Sequence, residues 1–132
     1  MNETLEKIER FHGHIGPYAV IGYRMGEIAN RMLGTDPFFK KAVVWTGANP
    51  PLSCIVDGIQ ISSGCTFGKG NIAVKNKSLA RAEFSNNDGK HIKITLKPSI
   101  QEEIDTKVTD KNIVIYSEKI CRLSDEELFE MS

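Results

Sequence analysis

The sequence predicts an α+β fold in which helices pack on one face of an antiparallel sheet. Three observations carry this. Apolar residues recur at helical spacing through the first 33 residues and again over 99–108, β-like runs fill 71–97, and an Asp-Gly turn joins the last two of those runs.

The first helix is read from Glu3 to about Phe11, where Leu5, Ile8 and Phe11 repeat every three residues among charges. The second is set by Pro17, which suits a first helical position, and by Gly34, which suits the place just past the end. Between them Tyr18, Ile21, Met25, Ile28, Ala29, Met32 and Leu33 keep the period, with Arg24, Glu27, Asn30 and Arg31 facing outward. A short strand, Ala42 to Thr46, precedes the turn-rich GANPP. Ser53 is then placed to cap a third helix running to about Ser63, with Gly64 ending it and Cys65 opening the loop CTFGKGN. Strands follow at Asn71 to Lys75, Leu79 to Phe84 and His91 to Lys97, the last two paired across SNNDGK. Ser99 to Val108 reads as helix, and Asn112 to Leu123 is assigned to helix although IVIY also suits a strand. Ser124 and Glu127 make a capping box for a last short helix, SDEELFEM.

A chain of 132 residues suits one domain spanning 1–132. Its 17 basic and 17 acidic residues balance, so no electrostatic footprint points to nucleic acid or an anionic membrane. The charged N-terminus is no signal sequence, no apolar run approaches the ~18 residues of a membrane span, and three scattered cysteines are no secreted disulfide framework. The expectation is a cytoplasmic protein.

Chemistry gathers at two places. His12 and His14 flank a glycine between two helices, and residues two apart in an extended link point the same way, so two imidazoles can meet one ion; alternatively the pair caps helix ends. Cys65 follows the end of the third helix, whose partial negative charge repels phosphate, raises a thiol pKa and attracts a cation. A metal there would hold the thiolate; a lone cysteine is otherwise more often core than ligand. Cys54, eleven residues earlier, lies roughly 16 Å away at ~1.5 Å per helical residue, which assigns it, like Cys121, to the core or a helix flank. The loop GCTFGKGN fails as a phosphate-binding P-loop: three residues rather than four separate Gly64 and Gly68, Gly70 follows Lys69, and the helix precedes the loop. Lys69 either lines a site or is a solvated turn residue.

The segments FHGHIGPYAVIGYRMG (11–26) and PPLSCIVDGIQISSGCTFGKGNI (50–72) resemble the two signature blocks of the FmdE family, named after a component of formylmethanofuran dehydrogenase. The resemblance implies an α+β core, a homodimer, and a metal, commonly zinc, near the histidine and Gly-Cys-Thr blocks. Those positions are His12, His14 and Cys65, with Asp57, Gln60, Thr66 and Lys69 as neighbours; Cys65 and Lys69 become the candidate catalytic groups. Many members have cysteine where this chain has Gly16, so a sulfur ligand or redox partner at that position does not carry over, which argues against a dithiol mechanism, and the paired-cysteine zinc finger that some members carry is missing. Three dispersed cysteines cannot ligate iron–sulfur clusters, so the chain is not the catalytic component of the dehydrogenase.

Two imidazoles and a thiolate leave one tetrahedral position open, the pattern of a catalytic or ligand-binding zinc. The expected function is therefore that of a metal-binding protein, with zinc or another divalent transition metal, linked to one-carbon metabolism and to a molybdenum or tungsten formylmethanofuran dehydrogenase complex. The alternatives are a metal-delivery or cofactor-insertion protein and a structural dimeric module. The metal and any substrate stay open.

Overall fold

The computed structural model describes residues 2–132. Helix α1 (Glu3–His12) starts where the Asn2 side chain accepts the Leu5 amide at 2.8 Å, satisfying one of the free N–H groups of the first turn. Leu5 and Ile8 enter the core, but Phe11 is 57% exposed and borders a shallow groove with Ile61. Helix α2 (Pro17–Leu33) has Pro17 at its start and Gly34 at its end, as its sequence predicts.

The polar stripe of α2 does not simply face water. Arg24 donates to the Ile120 and Cys121 carbonyls and to Asp125, and Asn30 donates to the Ser62 carbonyl. Met32, on the predicted apolar stripe, is instead 55% exposed. Helix α3 (Cys54–Ser63) packs against α2 at Gly22, Gly26 and Gly58. A Cβ on Gly22 would fall 2.0 Å from the Ile55 carbonyl oxygen, and one on Gly58 2.0 Å from that of Ala19. The glycine face of α2 is thus filled by α3 of the same chain. Ser53 does not cap α3: its backbone is already helical and its side chain makes no cap hydrogen bond, because the chain enters the helix from a hydrogen-bonded turn, Cys54 N–H to Pro51 O at 3.1 Å.

Five strands form one sheet in the order β2-β1-β3-β4-β5. They are β1 (Lys40–Val44), β2 (Ile72–Val74), β3 (Arg81–Asn86), β4 (His91–Leu96) and β5 (Phe129–Met131). The β3–β4 hairpin turns at Gly89, whose φ of +84° needs the freedom of glycine. Alternate residues point into the core, Ala42 and Val44 on β1, Ala82 and Phe84 on β3, Ile92, Ile94 and Leu96 on β4, so one face is covered by helices. The sheet is mostly antiparallel. The exception is β1–β2, which is parallel because α3 lies in the crossover between them.

Helices α4 (Pro98–Lys107) and α5 (Ile113–Arg122) follow, so the ambiguous 112–123 stretch is helical. The Ser124 capping box forms, but α6 (Asp125–Leu128) lasts one turn. The remainder of SDEELFEM is strand β5, not helix: Phe129 pairs with Leu96 and Met131 with Ile94. Among the described residues, no helix is long and apolar enough to cross a membrane.

Candidate functional site

His12 is the last residue of α1. Gly13 then takes a left-handed conformation, φ +93°, and its N–H donates back to the Glu9 carbonyl at 2.9 Å. This turn, rather than an extended link, brings the two imidazoles together with ring centroids 4.6 Å apart. His12 is packed inside and His14 is exposed at the rim. The Nδ1 of His12 lies 2.6 Å from Oδ2 of Asp57, one turn into α3. A carboxylate accepts only, so Nδ1 carries a proton, and in the neutral imidazole Nε2 is the nitrogen with the lone pair. That Nε2 is buried and has no hydrogen-bond partner among the described residues.

His12 and His14 line a cavity of about 220 Å³ with Tyr18, Cys54 and Asp105. Its apolar walls come from Pro17 and Ala19 at the start of α2, Pro51, and Ile104, Val108 and Ile113 around α4 and α5. Gly16 opens this wall, since a Cβ there would stand 3.3 Å from Cε1 of His14. The Tyr18 hydroxyl donates to Oδ1 of Asp105 at 2.5 Å. Burial, and then the Asp105 carboxylate, raise its pKa well above the usual phenol value, so it keeps its proton at neutral pH.

The residues named from sequence divide between the two ends of α3. His12, His14 and Asp57 come together. Cys65 does not join them: it is fully buried past the C-terminal end of α3, its amide bonded to Oγ of Ser63, and it does not line the cavity. Burial raises its thiol pKa, opposed by Ser63 and the nearby Lys40 and Lys69. Thr66 caps the short 3-10 turn Phe67–Lys69, and the Gln60 side chain accepts the Phe67 amide. Lys69 is exposed, its ammonium 5.7 Å from the centre of the Phe38 ring. Gln60, Thr66 and Lys69 therefore organise the glycine loop rather than the histidine cavity.

Cys54, assigned from sequence to the core or a helix flank, is the thiol that lines the cavity. Its distance from Cys65 along α3, which argued against a shared ion, is what puts it at the histidine end. Tyr18 and Asp105 carry no motif that nominates them; position 18 sits beside the histidine block, but Asp105 arrives only through tertiary packing. Burial, then the Asp57 carboxylate, raise the Cys54 pKa. A raised pKa means less thiolate at pH 7 than in free cysteine, so iodoacetamide is expected to label Cys54 slowly there and faster as pH climbs past the ordinary thiol value of about 8.5. Cys65 is expected to stay unlabelled until the protein unfolds; peptide mapping by mass spectrometry reads both, and equal labelling of the two would contradict their placement.

Chemically, the site offers a fixed imidazole lone pair, a second imidazole at the rim and a thiol nearby. This donor set fits a transition ion held by His12 and His14. It does not amount to a closed structural zinc site, because among the described residues no three His, Cys, Asp or Glu side chains converge on one point.

A small α+β protein with a histidine-lined cavity between its first helices is thus defined. The model of the family described as FmdE, molybdenum formylmethanofuran dehydrogenase operon, matches residues 11–130, and the chain belongs to that family. A crystal structure of an FmdE-like protein of tungsten formylmethanofuran dehydrogenase from Syntrophus aciditrophicus superposes with a TM-score of 0.65 at 21% identity, covering 98% of this chain and 69% of that one, which supports the fold. A protein of Archaeoglobus fulgidus named as a probable S-adenosyl-L-methionine-binding protein is 31% identical over 77 residues. That match takes in 54% of this chain and 20% of the relative, so the chain spans about a fifth of its length.

Proposed function

We propose that the protein binds a divalent transition metal, zinc first among them, through His12 and His14, and that it serves molybdenum- or tungsten-dependent formylmethanofuran dehydrogenase metabolism. The observation that carries this is His12: Nδ1 is pinned by Asp57 while the buried Nε2 lacks a hydrogen-bond partner among the described residues. An unsatisfied buried nitrogen costs about 1–3 kcal/mol, and a carboxylate behind an imidazole is the usual support of a metal-ligating histidine. Bound there, the ion would supply Lewis acidity. The chain's own groups hold it, exclude bulk water through the apolar walls, and keep a proton on Tyr18.

Cys54, rather than Cys65, is the thiol available to complete the site. An exposed His14, with no third His, Cys, Asp or Glu converging with the two histidines among the described residues, also favours a second reading, metal delivery, since an ion with few protein ligands exchanges readily. A homodimer remains part of the proposal. The glycine face of α2 is occupied by α3, and the loop 64–71, where Phe67 is 87% exposed, offers a surface for it. The S-adenosylmethionine named for the Archaeoglobus relative is not carried over, because about 220 Å³ falls below the roughly 300–1,000 Å³ that drug-sized ligands occupy.

Protein purified without chelator or a metal-charged resin is expected to carry metal by elemental analysis, and the His12→Ala/His14→Ala double variant to carry none. Wild-type metal content in the double variant would refute the site. Transfer of the ion to a metal-free acceptor enzyme, faster than release to buffer, would select the delivery reading.

A further inference from the structure

The cavity is lined by two kinds of group. His12, His14 and Cys54 supply nitrogen and sulfur donors, and the Tyr18–Asp105 pair shares the lining with Ile104, Val108 and Ile113. Because the tyrosine hydroxyl donates its proton to Oδ1 of Asp105, the pair presents the second carboxylate oxygen, which has no hydrogen-bond partner among the described residues, and the lone pair of the hydroxyl oxygen that the Gln101 side chain does not take up. Among the described residues no lysine or arginine lines the cavity, and Asp105 makes no ion pair. Asp105 is exposed where it lines the cavity, so its carboxylate is an unopposed negative charge beside an apolar wall, a combination that favours a cation with an apolar body over an anion or a neutral polar molecule.

We propose that the cavity takes a small organic cation, a primary amine on a short apolar body, with its N–H groups on the Asp105 carboxylate and the Tyr18 hydroxyl oxygen and its body against Ile104, Val108 and Ile113. The inference deepens the reading of the same cavity as the functional site, but it does not require the metal. A volume of about 220 Å³ sets the size class below drug-sized ligands. The ammonium end gives specificity because a charge-assisted hydrogen bond is roughly twice as strong as a neutral one.

The test uses benzylamine as probe, with benzyl alcohol and phenylacetate as neutral and anionic counterparts, on the intact chain in chelator-treated and in zinc-loaded form. Binding is followed through the methyl resonances of Ile104, Val108 and Ile113. Saturable shifts are expected with benzylamine in the chelator-treated protein, about tenfold or more weaker binding for benzyl alcohol, and none for phenylacetate. Asp105→Asn, at an exposed position that tolerates the change, should weaken benzylamine by a similar factor and leave benzyl alcohol unchanged. Tyr18→Phe keeps the ring in the core and should weaken benzylamine less. Benzyl alcohol or phenylacetate binding as tightly as benzylamine, Asp105→Asn without effect, or no binding of benzylamine at all would each overturn the proposal. Zinc content, measured on the same samples, separates this outcome from the metal reading. A protein that holds zinc and ignores benzylamine refutes the amine alone; one that binds benzylamine but never zinc refutes the metal alone.

Discussion

Gly58→Ala is expected to lower the melting temperature by more than about 10 °C, the midpoint shift that corresponds to roughly 3 kcal/mol in a chain of this size. Helix propensity alone argues the other way, since alanine in a helix interior gains about 1 kcal/mol over glycine. Sterics decide the sign. The new Cβ would lie 2.0 Å from the Ala19 carbonyl oxygen, 2.5 Å from the Tyr23 nitrogen and 2.9 Å from the Gly22 carbonyl carbon. All three are backbone atoms of α2, so no rotamer change relieves the clash and the helices must part. Inserting one methyl group into a packed core typically costs about 1–3 kcal/mol, and more where the neighbours cannot move. Gly22→Ala meets the Ile55 carbonyl from the other side and should behave alike. Gly68→Ala, with nothing within 4 Å and no positive φ, is the control, expected within about 0.5 kcal/mol of wild type. A Gly58→Ala protein melting within the error of wild type would mean that α2 and α3 do not approach so closely. The same contact matters to the cavity, because α3 brings Cys54 and Asp57 while the start of α2 brings Tyr18.

What the sequence makes legible follows from how local each signal is. The apolar period of α2 with Pro17 and Gly34 at its ends, the Asp-Gly hairpin and the Ser124 capping box are all written within a few neighbouring residues, and each forms where it is read. Strand β5 is not written that way. Phe129 to Met131 continue a helical charge pattern and become a strand only because β4, 33 residues back in the chain by the Leu96↔Phe129 register, offers a free edge. The same divide runs through the site. His12 and His14 are legible as a pair because one glycine separates them, and the resemblance adds Asp57. The link from Cys65 to the histidines joined two motifs that the fold sets at opposite ends of one helix. Arg24, read as an outward charge, turns inward because the α5 carbonyls and Asp125 are waiting there, and no periodicity reports that. Asp105 is 87 residues from Tyr18 in sequence and meets it only in the folded chain.

Replacing Asp57 by Asn tests the site through two independent readings. The carboxylate accepts the Nδ1 proton of His12 at 2.6 Å, and in doing so it fixes the tautomer, orients the ring and strengthens Nε2 as a donor to an ion. An amide can still accept that hydrogen bond but carries no charge, and it can equally turn its NH₂ toward the ring and favour the wrong tautomer. Loss of such a supporting group typically costs about 10–100-fold in metal affinity, and that is the expected fall in a competition titration against a chromophoric chelator. The second reading needs no metal. Asp57 is one of the charges that raise the Cys54 thiol pKa, so its neutralisation should bring that pKa down toward the ordinary value. A lower pKa means more thiolate at a given pH, and metal-free Asp57→Asn protein should accordingly alkylate at Cys54 faster than wild type near pH 8. Faster alkylation with unchanged metal affinity would keep the geometry and remove Asp57 from the metal site; neither change would mean that Asp57 and His12 do not form this pair.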